Sequence, residues 1–271
     1  MSTQHSDSLE DTMYKLSIDK KVFSHEDDED INNSTTLTPF SSTVASSTTS
    51  LSKKLLPKKD PIVDPLTQLS QPGGNTQLRK ETPQSELVSK ISHHISQILT
   101  LIGEDPEREG LHDTPARYAK AMLHFTKGYE EEIPRVLNNA IFKEPSADEI
   151  VIVKDIPFQS LCEHHLVPFF GTVTIGYIPC GEVVGLSKFA RFVEVYCRRL
   201  QVQERLGNQL ADLIMELLQP LGVIVIIEAE HMCMISRGVE KQGSKTVSKC
   251  SRGCFKTDSG IRREFFDMLK N

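Results

Sequence analysis

The chain has 271 residues, of which 38% are hydrophobic, with a formal net charge of -6 and a pI of about 5.9. The acidic balance argues against general nucleic-acid binding, which draws on an excess of Lys and Arg, and the low apolar share implies that part of the chain stays out of any core. The polar, acid-bearing start fits neither a secretory signal nor a transit peptide, and no apolar run approaches the roughly 20 residues that cross a bilayer. A cytoplasmic protein whose cysteines stay reduced is the expectation, and there cysteines serve as ligands or nucleophiles more often than as crosslinks.

Residues 1–84 read as a disordered tail. Glu26 to Asp30 is an unbroken acidic run, Ser41 to Ser52 is nearly all Ser and Thr, and Lys53 to Pro65 mixes lysines with prolines. Such stretches bury too little apolar surface to offset chain entropy. Composition leaves two readings open: a solvated tail, or a regulatory one whose hydroxyls accept phosphate.

A folded domain is expected over residues 85–271, with helices over 85–130 and a sheet-based core over 149–271. Leu87, Ile91, Ile95, Ile98 and Ile102 fall at helical spacing. Thr114-Pro115 reads as a cap and first helical residue, opening a helix to about Lys127 with Ala119, Met122 and Leu123 inward. His93, His94 and His124 on these helices read as solvated or core histidines. From Glu149 the signal turns to strands. Ile150 to Val153 is β-branched, and Phe169, Gly171, Val173, Ile175 and Tyr177 alternate with polar or outward positions at a period of two. Pro179-Cys180-Gly181 marks a turn. Helical character returns over Ser187 to Leu200 and again through Leu206, Leu210, Leu213, Ile214 and Leu217, stopped by Pro220. Val223 to Glu230 and Thr246 to Phe255 read as strands, and Ile261 to Leu269 as a closing helix. Strands interrupted by a helical pair describe an α+β fold with an antiparallel sheet.

The loop Ser160-Leu161-Cys162-Glu163-His164-His165 lies between two predicted strands, and His231-Met232-Cys233 ends another. Cys162 and His165 have the two-residue gap of a metal-binding turn, and Cys233 supplies a third soft ligand. Three protein ligands leave one tetrahedral position open, the arrangement of catalytic zinc, which lowers the pKa of a bound water toward about 7. Spacing alone also allows a chance C-x-x-H pair. His164 and His231 stand beside these residues, and an imidazole titrating near neutrality is suited to moving protons there.

Gly185 to Arg191 follows a strand and opens a helix, with Lys188 and Arg191 three residues apart on one helical face. A helix start carrying two cations suits phosphate. Arg237 lies four residues after Cys233. Glu204 sits between two helical stretches, where a carboxylate either accepts hydrogen bonds from a guanine edge or merely favours the helix dipole. Cys180, Cys197, Cys250 and Cys254 read as small core residues.

Taken together, these segments resemble the GTP cyclohydrolase I family. The resemblance rests on Ser160 through Phe169, on Gly185 through Arg191 followed by Gln201 through Leu206, and on His231 through Val239, three ordered motifs within a match from about residue 85 to the end. It implies a tunnelling fold with helices on one side of an antiparallel sheet, an N-terminal helical extension, and a ring-shaped homo-oligomer, a decamer with sites at subunit interfaces. It implies one Zn2+ per subunit on Cys162, His165 and Cys233. It implies His164 and His231 as proton carriers, Glu204 at the guanine edge, and Gln203 among the substrate-binding residues. Ser187, Lys188, Arg191, Arg237 and Arg117 fall at the triphosphate. The implied reaction is hydrolysis of GTP at guanine C8, releasing formate and forming 7,8-dihydroneopterin triphosphate for tetrahydrobiopterin or folate. The stretches Arg237-Gly238-Val239 and Ser244 to Val247 look closer to animal members. A feedback regulatory protein and allosteric control occur in some relatives. Nucleic acid and membrane are not expected partners.

Three rival readings fit less well, the nearest being a sibling tunnelling-fold enzyme acting on another purine or pterin, which the full set of Cys162, His165, Cys233, Lys188 and Arg191 disfavours. A zinc nucleobase deaminase needs H-x-E and P-C-x-x-C, but no histidine here has Glu two positions on, and Val183 stands where the second cysteine after Pro179-Cys180 is needed. A regulatory subunit that lost activity is expected to lack a ligand or proton carrier, and none is missing.

Overall fold

The computed structural model describes residues 76–270. The readings that fall on residues 1–75 lie outside the described residues. The described residues begin with helix α1 (Thr76–Glu81), which lies ahead of Ser85. There follow α2 (Gln84–Leu101), α3 (Thr114–Phe125), α4 (Ile133–Leu137), β1 (Ile141–Lys143), β2 (Val151–Cys162), β3 (Pro168–Ile178) and β4 (Glu182–Val184). Next come α5 (Ser187–Cys197), β5 (Leu200–Gln201), α6 (Gln203–Leu218), β6 (Gly222–His231) and α7 (Met232–Ile235). The chain closes with β7 (Lys245–Gly253), α8 (Cys254–Thr257) and α9 (Ser259–Leu269).

Helix α3 starts one residue earlier than a Thr114 cap requires. Asp113 occupies the cap position, Thr114 is the first helical residue, and Pro115 sits in the first turn, where its missing N–H costs nothing. Ala119 and Leu123 are buried as expected. Helix α2 carries the expected apolar stripe, with Leu87, Ile91 and Ile95 half-buried and Ile98 and Ile102 exposed, and Leu101 is 84% exposed in the single chain.

The main sheet has five strands in the order β5-β2-β3-β6-β7. Four of them pair antiparallel, as the sequence implies. The fifth corrects that expectation, because β5 runs parallel to the end of β2 through Leu161–Leu200 and Cys162–Gln201. A second sheet, β1 with β4, pairs three residues on each side and is too short to leave a period in the sequence. Among the described residues, the outer edge of β7 and most of the outer edge of β2 have no strand partner.

The period of two in β3 turns Phe169, Val173, Ile175 and Tyr177 inward. Against them α5 lays Phe189, Phe192, Val193 and Tyr196, and α6 lays Leu206, Leu210, Leu213 and Ile214. Each such side chain, fully buried, contributes about 1.5–3 kcal/mol of transfer free energy. The opposite face is covered too, which corrects the expectation of helices on one side only. Ile178 and Ile224 point there and meet Phe255 of α8 and Phe265 of α9. Gly176 makes that contact possible, since a Cβ on it would lie 2.4 Å from Cε2 of Phe265.

Candidate metal and catalytic site

The sheet brings its chemistry to one end. Ser160 of β2 is level with Phe169 of β3, and Phe169 is level with His231 of β6. Beyond Ser160, β2 ends at Cys162 and the chain folds into a tight turn. The N–H of Leu166 donates to Cys162 O at 2.8 Å, the N–H of Cys162 to Val167 O at 2.9 Å, and Leu166 takes φ 55° to close the loop. This turn carries the His165 ring back to the strand end, with Nδ1 3.7 Å from Cys162 Sγ. Beyond His231, β6 passes into α7, which presents Cys233. The ligand atoms of Cys162, His165 and Cys233 all lie within 4.8 Å of one another.

Two sulfurs and one imidazole nitrogen form a donor set that zinc favours, and its bond lengths of about 2.0–2.3 Å put tetrahedral ligands under about 4 Å apart. The thiol electrostatics fit a cation as well. Burial pushes the Cys233 thiol above its usual range, the neighbouring Cys162 sulfur adds to this, and Arg237 opposes it. Two crowded sulfurs resist ionising unless a positive charge sits between them.

His231 is half-buried. Its ring stacks on Phe169 with centroids 4.7 Å apart and planes within 6°. Its Nε2 lies 2.9 Å from Oε1 of Gln203. Desolvation lowers its pKa, against the pull of the Glu204 carboxylate. Glu204 lies exposed in the first turn of α6. His164 is exposed on the ligand turn, with Nδ1 4.0 Å from Cys162 Sγ and Nε2 3.8 Å from the Glu163 carboxylate. Arg205 grips Glu163 through both guanidinium nitrogens, one at 2.9 Å, and this holds the Glu163 carboxyl below its ordinary range.

The expected phosphate-binding cations are arranged less uniformly. Lys188 is 8% exposed and its ammonium donates to Val136 O of α4 at 2.9 Å. Ser187 is exposed as the first residue of α5. Arg191, one turn along, lines a cavity of about 240 Å³ with Val136 and Glu194. Arg237 is exposed just past α7. Arg117 stands on α3, paired with Asp113 at 2.8 Å. The single chain therefore brings together Cys162, His165, Cys233, His164, His231, Gln203 and Glu204, with Arg237 near Cys233. Lys188 and Arg117 make their polar contacts elsewhere.

The Gln203 side chain turns inward. It is 1% exposed, and its amide is bonded wholly within the chain. The remaining cysteines divide. Cys197 and Cys250 are buried core residues, with burial pushing the Cys197 thiol up to about 12. Cys254 is half-buried, and Cys180 is exposed on its turn, which corrects its reading as a core residue. Sequence reasoning missed the Glu163–Arg205 pair and the stacking partner Phe169. The opposite charges inside two adjacent motifs were a signal for the first, while nothing local announces the second.

No helix among the described residues is long and apolar enough to cross a membrane. Residues 91–270 match the family model described as GTP cyclohydrolase I. GTP cyclohydrolase 1 of Saccharomyces cerevisiae is 56% identical over 199 residues, covering 72% of this chain and 81% of that protein. The Rattus norvegicus protein of the same name is 58% identical over 193 residues, covering 71% of this chain and 80% of its own length. The Homo sapiens protein is 57% identical over 196 residues, covering 70% and 78%. The family model spans the whole five-stranded sheet with its ligand turn, the three relatives are each more than half identical, and on that ground the chain belongs to the GTP cyclohydrolase I family.

Proposed function

We propose that this chain is a zinc-dependent GTP cyclohydrolase, acting in the cytoplasm as a ring-shaped homodecamer. It hydrolyses GTP at guanine C8, releases formate and forms 7,8-dihydroneopterin triphosphate, the first step toward tetrahydrobiopterin or folate. The observation that carries this reading is the convergence of Cys162, His165 and Cys233 within 4.8 Å, with His164 and His231 beside them.

Zinc held by these three residues supplies the Lewis acidity that activates water at neutral pH. The side chains do the rest. C8 lies between two nitrogens and is electrophilic, so addition of water there opens the imidazole ring to a formamide. A second hydrolysis frees formate, and rearrangement of the sugar followed by ring closure returns one water. Each stage moves protons. His231, kept neutral by burial, is suited to accept them, and the exposed His164 to exchange them with solvent. Glu204 accepts from the guanine edge. Ser187, Lys188, Arg191, Arg237 and Arg117 hold the triphosphate, and that remote binding positions C8. Lys188 exchanges its bond to Val136 O for phosphate oxygen. The edges of β2 and β7 that lack a partner among the described residues, and the exposed Ile98, Leu101 and Ile102 of α2 and its end, support assembly, since open edges and apolar faces are normally covered.

The test is GTP turnover with zinc quantified, for the intact chain and for His164→Ala. Formate and a pterin product are expected from one zinc per chain, with turnover in the variant down about 10²- to 10⁴-fold and zinc retained. Zinc without turnover in the intact chain overturns the reaction and favours a sibling enzyme or a regulatory subunit.

A further inference from the structure

We propose that Gln203 is a positioning residue that locks the His231 ring as the tautomer carrying hydrogen on Nε2, with Nδ1 as the bare nitrogen facing away from the amide. Its bearing on turnover rests on the proposed function. The tautomer does not.

The argument runs through hydrogen-bond donors and acceptors. The Nε2 amide nitrogen of Gln203 lies 2.9 Å from Ile227 O, 3.0 Å from Thr246 O and 3.0 Å from Ser248 Oγ. Backbone carbonyls only accept, so the two amide hydrogens go to them. Turning the amide over would set Oε1 against two carbonyl oxygens in a site 1% exposed, leaving buried lone pairs facing each other and unmet. The strand pair β6–β7 therefore fixes which end of Gln203 faces the histidine. That end is Oε1, 2.9 Å from His231 Nε2. An amide oxygen cannot donate, so Nε2 must carry hydrogen.

The ring cannot escape by rotating. Stacking on Phe169 at 4.7 Å, nearly parallel, holds its plane, and a half-turn about the ring axis would put a carbon where Gln203 needs a donor. Among the described residues the ring makes no second hydrogen bond, so Nδ1 keeps its lone pair. An orienting partner of this kind fixes which nitrogen of a histidine does chemistry. The chain delivers Gln203 to this place by making it the first residue of α6, directly before Glu204, so one helix start holds the histidine and offers the carboxylate.

The test uses the full zinc-loaded chain with 15N-labelled histidine, at a pH above about 6.5 so that ordinary rings are neutral. The His231 signals, assigned by their loss in His231→Ala, should show a protonated Nε2 and a bare Nδ1. A protonated Nδ1 overturns the proposal, and this measurement needs no Gln203 variant to fold. In Gln203→Leu the lock is gone. A mixture of tautomers is expected, with kcat down about 10- to 100-fold, KM little changed and zinc retained. The same fall in kcat with the tautomer unchanged would mean that Gln203 only braces the fold, and sinks the proposal. If the intact chain turned over no GTP, the functional reading would fail while the spectrum still decided the tautomer.

Discussion

The two ends of β6 are built from the same ladder and do opposite things. At the Gly222 end the strand is sealed. Ile224 packs against Phe255 and Phe265, Leu221 N–H donates to Ile178 O, and Cys254 N–H donates to Leu221 O. At the His231 end the strand opens into a short helix and leaves a half-buried imidazole, a half-buried thiol and exposed charge. The lesson is that one continuous register with β3, from Ile178–Gly222 to Phe169–His231, lets apolar packing at one end hold the reactive groups at the other. Stability and chemistry should therefore separate by mutation.

The largest effect is expected at the open end. Cys233→Ala removes one of three ligands, so bound zinc should fall toward zero and turnover by roughly 10³-fold, the several kcal/mol that a metal supplies. Metal analysis and a formate assay read this out, and full zinc in the variant would break the ligand assignment. At the sealed end, Phe265→Ala should cost about 3–5 kcal/mol in denaturant unfolding, with turnover per folded chain unchanged. A matching loss of specific activity would show that the two ends are not separable.

The smallest effect concerns the Glu163–Arg205 pair beside the ligand turn. Its side chains are 28% and 45% exposed, so solvent screening limits it to about 0.5 kcal/mol. Arg205 holds the Glu163 carboxyl below its ordinary value of 4.5. The folded form thus binds its proton less readily than the unfolded form, so this stability is present above pH 4.5 and is lost as pH falls below it. Stability of Arg205→Ala measured against pH should differ from the parent at neutral pH and converge with it under strong acid. A constant gap across that range would count against the pair.

The sequence announces some of this molecule directly. The alternation through Phe169, Val173, Ile175 and Tyr177 and the stripe Leu206, Leu210, Leu213 and Ile214 each carry the period of one element, and each is buried as that period requires. The grouping of Cys162 with His165 is equally local. Cys233 joins them only through the β3–β6 register, which no spacing encodes. The short elements were not legible, because β1, β4 and β5 hold two or three residues each and no period shows over that length. The second covered face was missed for a similar reason. A strand buried on both sides, such as Val223 to Ile227, shows an unbroken apolar run instead of an alternation. The inward bonding of the Gln203 side chain was not legible, because a glutamine beside a candidate guanine-binding Glu204 looks like a substrate contact. Only its three acceptors on the chain reveal that it faces inward.

The two-residue strand β5 joins parts that would otherwise be independent. Cys162 pairs with Gln201, the N–H of Glu163 closes on Gln201 O at 3.0 Å, and α6 begins two residues later with Gln203. Fraying of the first turn of α6 and loosening of the ligand turn are thus one opening event. Metal that binds only the closed form draws on the same free energy that keeps the helix wound. For the proposed zinc site, affinity would in that sense gauge how tightly α6 is wound at its start.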